Sequence, residues 1–253
     1  MDVLCKICSI PAELLSKVPG IGPVVKACCT SVGQKILMAL TGLALCGFLV
    51  AHLAGNLLLF VGEDAFNEYA EKLHSLGPVL WAMEAGLLAT FLVHICLAIS
   101  TAAMSRQARR KKYGETATKQ EGFVLSGGGA ANFMLPTGFM ILLFLVLHVC
   151  DMKFNLRTTL GLADFEFGEE NLFLHVKQVF GSWLTRGVYV LGLIALGVHL
   201  SHGVSSACQT LGISHPRWNG LIRFVGVLFA WGIAAGFLGL VFWGINEGIA
   251  AAG

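Results

Sequence analysis

Residues 35–61 read KILMALTGLALCGFLVAHLAGNLLLFV, an apolar stretch whose single formal charge is the lysine at its first position. A helix rises about 1.5 Å per residue, so this stretch is long enough to cross the roughly 30 Å of hydrocarbon in a bilayer. A segment that faces lipid must satisfy its own backbone hydrogen bonds, and a helix does so. The stretch therefore predicts a transmembrane helix.

Four further stretches have the same character, and we place the five spans near 35–61, 79–104, 132–151, 186–209 and 221–245. The chain of 253 residues is 56% hydrophobic and 13% charged, about half the charge of a soluble domain. These features predict an all-α membrane protein with one transmembrane domain over 31–253. Residues 1–30 are predicted to form a cytoplasmic or interfacial tail. The net charge of +2 gives no indication of nucleic-acid binding.

The distribution of basic residues predicts the orientation, because cytoplasmic loops of membrane proteins are enriched in Lys and Arg. Twelve of the seventeen basic residues fall on one side: in the tail, in the loop after the second span and in the loop before the fifth. The N-terminus is therefore predicted inside and the C-terminus outside. The connection 152–185 then lies outside, and its Phe165, Phe167, Leu172 and Phe173 predict a segment along the interface.

Histidine is the polar residue that recurs inside the spans. His74, His175 and His215 are assigned to loops, where we expect solvated side chains and no metal role. The other five histidines lie within spans on four different helices: His52, His94, His148, His199 and His202. A polar ring in lipid is costly and needs a partner. For one such histidine a hydrogen-bonded structural role is the default, but histidines on four separate helices favour a functional site.

The depths of four histidines sort them into two layers. His52 and His148 lie roughly 25 Å and 24 Å from the inner edge of the membrane at 1.5 Å per residue, whereas His94 and His199 lie at roughly 15 Å. Two histidines at one depth on facing helices suit the two axial positions of a haem iron, and such a haem carries electrons. A single metal ion held by protein alone would need three or four ligands at one depth.

The pattern predicts one haem held by His52 and His148 in an outer layer and another held by His94 and His199 in an inner layer. His202 lies one helical turn from His199, so it is an alternative ligand or a contact to a haem propionate. No C-x-x-C-H motif occurs, which predicts haem that is not covalently attached.

Six motifs together resemble the cytochrome b subunit of succinate dehydrogenase and fumarate reductase, in its bacterial single-chain, five-helix, di-haem form. They are SVGQKILMALTG (31–42), HLAGN (52–56), AFNEYAEKLHSLGP (65–78), LVHI (92–95), LVLH (145–148) and GVHLSHGVSSACQTLG (197–212). The resemblance covers nearly the whole chain from Ser31 onward. Its ligand pattern falls on His52, His94, His148 and His199, with the same pairing as the depths.

The resemblance implies a multi-pass protein of the bacterial cytoplasmic membrane with two b-type haems and a quinone, by resemblance menaquinone, as substrate. It also implies an iron–sulfur subunit and a flavoprotein subunit with FAD on the cytoplasmic face. This chain has neither a dinucleotide fingerprint nor an iron–sulfur cysteine array, so those cofactors are expected on the partners alone. The basic loop 105–119, with Ser31, Gln34 and Lys35, is the expected docking face.

Quinone chemistry also moves protons, and Glu84 is the expected proton carrier because it lies near the outer end of the second span. An ordinary interfacial role for Glu84 is equally consistent with the sequence. Asp151, His74, Asn56 and Trp81 are weaker quinone-site options.

At the inner end, Ser31 and Lys35 are expected to contact a haem propionate, although positive-inside anchoring also accounts for Lys35.

Two alternative functions are also consistent with the sequence. One is the haem subunit of another membrane oxidoreductase, such as a hydrogenase or a formate dehydrogenase. The other is a membrane anchor or transporter without haem, against which the paired histidine depths and the scarcity of acidic residues in the spans argue.

Overall fold

A computed structural model describes residues 27–107, 133–161 and 171–251. Within these ranges every regular element is a helix. The elements are α1 (Ser31–Asn56), a 3-10 turn (Leu57–Phe60), α2 (Glu63–His74), α3 (Pro78–Gln107), α4 (Met134–Met152), α5 (Leu156–Thr159), α6 (Leu172–Gly181), α7 (Trp183–Thr210) and α8 (Asn219–Ala251).

The five predicted spans are confirmed as the long apolar helices α1, α3, α4, α7 and α8, each long enough to cross a membrane. Their ends differ from the predicted ones by a few residues. Helix α1 begins four residues early because the Thr30 side chain caps it, accepting a hydrogen bond from the Gly33 amide at 3.0 Å. Which end faces the cytoplasm stays a prediction. We call the end near His52 and His148 the outer end.

Helix α7 lies at the centre, in contact with α1, α4, α6 and α8, while α3 packs mainly against α1. Close approach of α7 to its neighbours depends on glycine, a small residue that lets membrane helices pack closely. A methyl group on Gly192 would lie 2.5 Å from the Phe144 ring, and one on Gly197 would lie 2.9 Å from Trp231. Side chains larger than hydrogen at these positions would push the helices apart.

Two short helices, α2 and α6, close the outer end of the bundle. Asn67 on α2 and Asn171 at the start of α6 join them by a hydrogen bond of 3.0 Å, and Asn67 also accepts from the Phe173 amide. Phe173 and Phe180 on α6 are buried, so this part of the outer connection folds into the core. The predicted interfacial segment is thus a packed helix at Leu172 and Phe173, while Phe165 and Phe167 lie outside the described residues.

A buried ion pair fixes the connection between α4 and α7. Arg157 on α5 donates to both carboxylate oxygens of Asp151 and, at 3.0 Å, to the Thr185 hydroxyl. The Asp151 side chain is fully buried. His175 shares a hydrogen bond of 2.9 Å with the Asp151 carbonyl and is 1% exposed. The prediction that His175 is a solvated loop residue is therefore wrong, because α6 folds back onto the end of α4.

Replacing Arg157 with methionine should destabilise the protein by about 3 kcal/mol, because removing one partner leaves the Asp151 charge buried and unpaired. Denaturant unfolding of the detergent-solubilised chain measures the loss. Lys72→Met is the matched control, since it breaks the exposed Lys72–Glu68 pair and should leave the unfolding midpoint unchanged. Equal midpoints for Arg157→Met and wild type would contradict the buried pair.

Candidate functional site

The outer histidine pair joins α1 to α4. The His52 and His148 rings lie edge to face with their centroids 5.9 Å apart. Two imidazoles that bind one metal at about 2 Å on opposite sides have centroids roughly 6 Å apart. His52 faces the Asn56 amide at 3.4 Å, and His148 faces the Tyr189 hydroxyl at 3.3 Å. The separation of the two rings is therefore compatible with both imidazoles binding one metal ion.

The inner pair joins α3 to α7, with His94 and His199 within electrostatic range of each other. Each ring is held by a threonine on the helix beside it. The Thr41 hydroxyl lies 3.1 Å from His94 Nδ1, and the Thr137 hydroxyl lies 3.2 Å from His199 Nδ1. The same hydrogen-bonding arrangement therefore occurs on both sides of the inner layer.

These threonines favour one position for the ring proton of each inner histidine. Thr41 donates its hydroxyl hydrogen to the Leu37 carbonyl and Thr137 donates to the Phe133 carbonyl, so both oxygens accept from the histidines. The Met38 carbonyl also lies close to the His94 ring, and the Met134 carbonyl lies close to the His199 ring. This arrangement favours the tautomer of His94 and His199 in which Nδ1 carries the proton and the Nε2 lone pair is free to bind a metal.

The two halves of the bundle repeat one motif that the sequence analysis missed. Residues 41–52 read TGLALCGFLVAH and residues 137–148 read TGFMILLFLVLH. Eleven residues make about three helical turns, so the threonine and the histidine of each motif share a face. The hairpin of α1 and α3 supplies His52 and His94, and that of α4 and α7 supplies His148 and His199. Each layer takes one histidine from each half.

The described residues fit a planar group bound between the paired histidines. The helix pairs across which the histidines face each other, α1 with α4 and α3 with α7, are not closely packed backbone to backbone, unlike the two helices of each hairpin. Glycines keep space beside the inner rings: a methyl group on Gly42 would lie 3.2 Å from His94 Cε1, and one on Gly138 would lie 3.5 Å from His199 Cε1. The site is thus consistent with bis-histidine haem.

His202 occupies a different environment from His199. It lies one turn further inward on α7, within electrostatic range of Arg223 on α8. Its Nδ1 atom is buried and has no hydrogen-bond partner among the residues that the structure describes. His202 therefore has the polar neighbour that suits an anion contact, whereas His199 has the threonine that suits a ligand.

Glu84 and the inner-end residues have simpler surroundings. Glu84 forms an ion pair with Lys153, which links the outer ends of α3 and α4, and both side chains are nearly half exposed. Ser31 and Lys35 are exposed at the start of α1, and within the described ranges the structure does not bring them to the inner histidines. Gln34 bonds Ser100 on α3 at 2.9 Å instead.

The predicted docking loop lies outside the described residues from 108 to 119, as does most of the predicted tail, residues 1–26. Comparison of the chain with protein-family models, with curated proteins and with solved structures finds no match.

Thr41→Val and Thr137→Val should weaken the hold on a metal at the inner pair about 10-fold to 100-fold, because the Nδ1–H group loses an acceptor that orients the ring. Transfer of haem from the purified protein to an excess of apomyoglobin measures this loss. The matched controls, Thr41→Ser and Thr137→Ser, retain the hydroxyl and should behave as wild type. Unchanged transfer from both valine variants would contradict the orienting role.

Proposed function

We propose that this chain is the membrane anchor and di-haem cytochrome b subunit of a bacterial succinate:quinone oxidoreductase, either a succinate dehydrogenase or a fumarate reductase. The observation that carries the proposal is the arrangement of four histidines in two layers, each layer taking one ring from each half of the bundle. The motif resemblance from Ser31 onward supports the choice of this family over other membrane cytochromes.

In this proposal His52 and His148 hold one haem and His94 and His199 hold the other. Haem supplies one-electron transfer, and a haem with two histidine ligands has no open position for oxygen. Thr41 and Thr137 keep the inner rings in the tautomer that binds iron. His202 and Arg223 contact a propionate rather than the metal, a role that the buried Nδ1 of His202 and its proximity to Arg223 support.

The spacing of the layers suits electron transfer across much of the bilayer. Thr41 and Thr137 contact the inner histidines, and eleven residues separate each threonine from the outer histidine of its motif, which is about 16 Å along the helix. This spacing is larger than the roughly 10 Å that the predicted depths gave, because those depths were counted from predicted span ends. We place the iron–sulfur and flavoprotein partners at the inner end and a quinone, in this proposal menaquinone, at the outer end. Succinate or fumarate chemistry then belongs to the partner, and this chain is the quinone-reactive subunit.

Glu84 is the proposed proton carrier for the quinone. It precedes His94 by ten residues, and Tyr189 precedes His199 by ten residues. Because Tyr189 reaches His148 in the outer layer, the same offset supports a place for Glu84 at the depth of the outer pair. Its partner Lys153 supplies a cation that holds the carboxylate at the edge of that layer.

Removing single histidines tests the haem assignment. We expect two b-type haems per assembled wild-type chain in a pyridine-haemochrome assay, and at most one haem in each of His52→Ala, His94→Ala, His148→Ala and His199→Ala. His202→Ala should retain two haems, because its ring has no part in coordination. A wild-type chain without haem would overturn the proposal.

Glu84→Gln tests the proton carrier. It should lower quinone-dependent turnover of the whole complex by at least 100-fold, the usual contribution of a general acid or base, while haem content stays unchanged. Succinate oxidation with an artificial acceptor should also continue. Glu68→Gln on α2 is the matched control, since that carboxylate pairs with Lys72 on the surface. Normal quinone turnover in Glu84→Gln would exclude Glu84 from the reaction.

A further inference from the structure

Tyr189 on α7 is a buried phenol that contacts a proposed haem ligand. It is 3% exposed, and its hydroxyl lies 3.3 Å from His148 Nδ1. This is the one hydrogen bond of the hydroxyl within the part of the chain that the structure describes. Buried tyrosine hydroxyls usually need a partner, so the contact with His148 fixes both side chains.

Neighbouring aromatic rings hold the phenol in place. Phe144 and Phe180 meet the Tyr189 ring edge to face, with centroids 5.0 Å and 5.3 Å away. Phe144 also contacts His148, at 5.8 Å between ring centroids. The phenol therefore has little freedom to turn away from the imidazole.

The charged surroundings of Tyr189 are specific to the outer half of the bundle. Asp151 on α4 and Arg157 on α5 both lie within electrostatic range of the phenol. His175 on α6 completes this cluster through the Asp151 carbonyl. Among the described residues, the inner rings contact neutral threonine hydroxyls, and the cation of that half, Arg223, faces His202.

The two histidines of the outer pair differ in the group that faces Nδ1, which for His148 is the phenol. Glu84 precedes His94 in α3 by ten residues, as Tyr189 precedes His199 in α7, but the side chain of Glu84 forms an ion pair with Lys153. His52 instead faces the Asn56 amide on its own helix. Among the residues that the structure describes, His148 is thus the paired histidine whose ring nitrogen faces a tyrosine.

We propose that Tyr189 is a positioning residue that orients His148 and sets the reduction equilibrium of the outer haem alone. This inference depends on the proposed di-haem function. When Nε2 of His148 binds iron, Nδ1 carries the proton and donates to the tyrosine oxygen. That hydrogen bond makes the imidazole a stronger electron donor and so favours ferric iron.

The test is Tyr189→Phe in the full chain, with redox titration of both haems followed by absorption and EPR. Loss of the acceptor should change the reduction equilibrium constant of the outer haem about 10-fold in favour of the reduced form. For a one-electron couple this is a 59 mV rise in midpoint potential, and the EPR signal of that haem should also change. The inner haem should not change. Thr137→Val is the matched control: it should change the midpoint potential of the inner haem and leave that of the outer haem unchanged.

A fluorinated tyrosine incorporated at position 189 provides a second test that keeps the shape of the core. The fluorinated phenol oxygen is a weaker hydrogen-bond acceptor, so the midpoint potential of the outer haem should shift in the same direction by a smaller amount. If Tyr189→Phe retains two haems and neither titration nor EPR differs from wild type, the positioning role is wrong. If Tyr189→Phe does not assemble, an unshifted fluorotyrosine protein overturns it. Absence of haem from wild type would instead reject the proposed function.

Discussion

The cost of placing an imidazole in lipid governs this structure. Each of the four paired histidines finds a partner for Nδ1 inside the bundle: a threonine hydroxyl for His94 and for His199, an amide for His52 and a phenol for His148. The contacts of His94, His148 and His199 join two helices and require them to lie at one register, since a shift of one residue would turn the threonine or the tyrosine away. The amide that faces His52 lies on the same helix as His52. Polar contacts as well as apolar packing therefore join α1 to α3 and α4 to α7.

Hydropathy and helical rise were sufficient to predict the five spans, because lipid leaves the backbone few alternatives and the apolar runs are long. The same arithmetic grouped His52 with His148 and His94 with His199. The Thr41 and Thr137 contacts were missed because a threonine in an apolar run ordinarily bonds its own helix and draws no attention. The repeated T-G-x9-H spacing was the signal that could have identified them, since it occurs in two spans of one chain.

The outer connection was harder to predict from sequence. Asp151 appeared as an acid at the end of a span and His175 as a loop histidine, because the pairing of Asp151 with Arg157 and the return of α6 onto α4 depend on tertiary contacts that no local pattern encodes. Short helices such as α2 and α6 give weak periodic signals in the sequence. The hydrogen bond that joins them connects Asn67 to Asn171, which are far apart in sequence. Polar contacts between distant residues were the part that sequence reasoning could not supply.

The division of the histidines between two hairpins has a consequence for biogenesis. A nascent chain that has inserted α1 and α3 has one histidine at each depth and therefore no complete pair. Only after α4 and α7 have entered the membrane does either layer have both of its rings. In the proposed cytochrome, cofactor capture would follow insertion of the second hairpin, and the bound groups would then join two halves that each arrived incomplete.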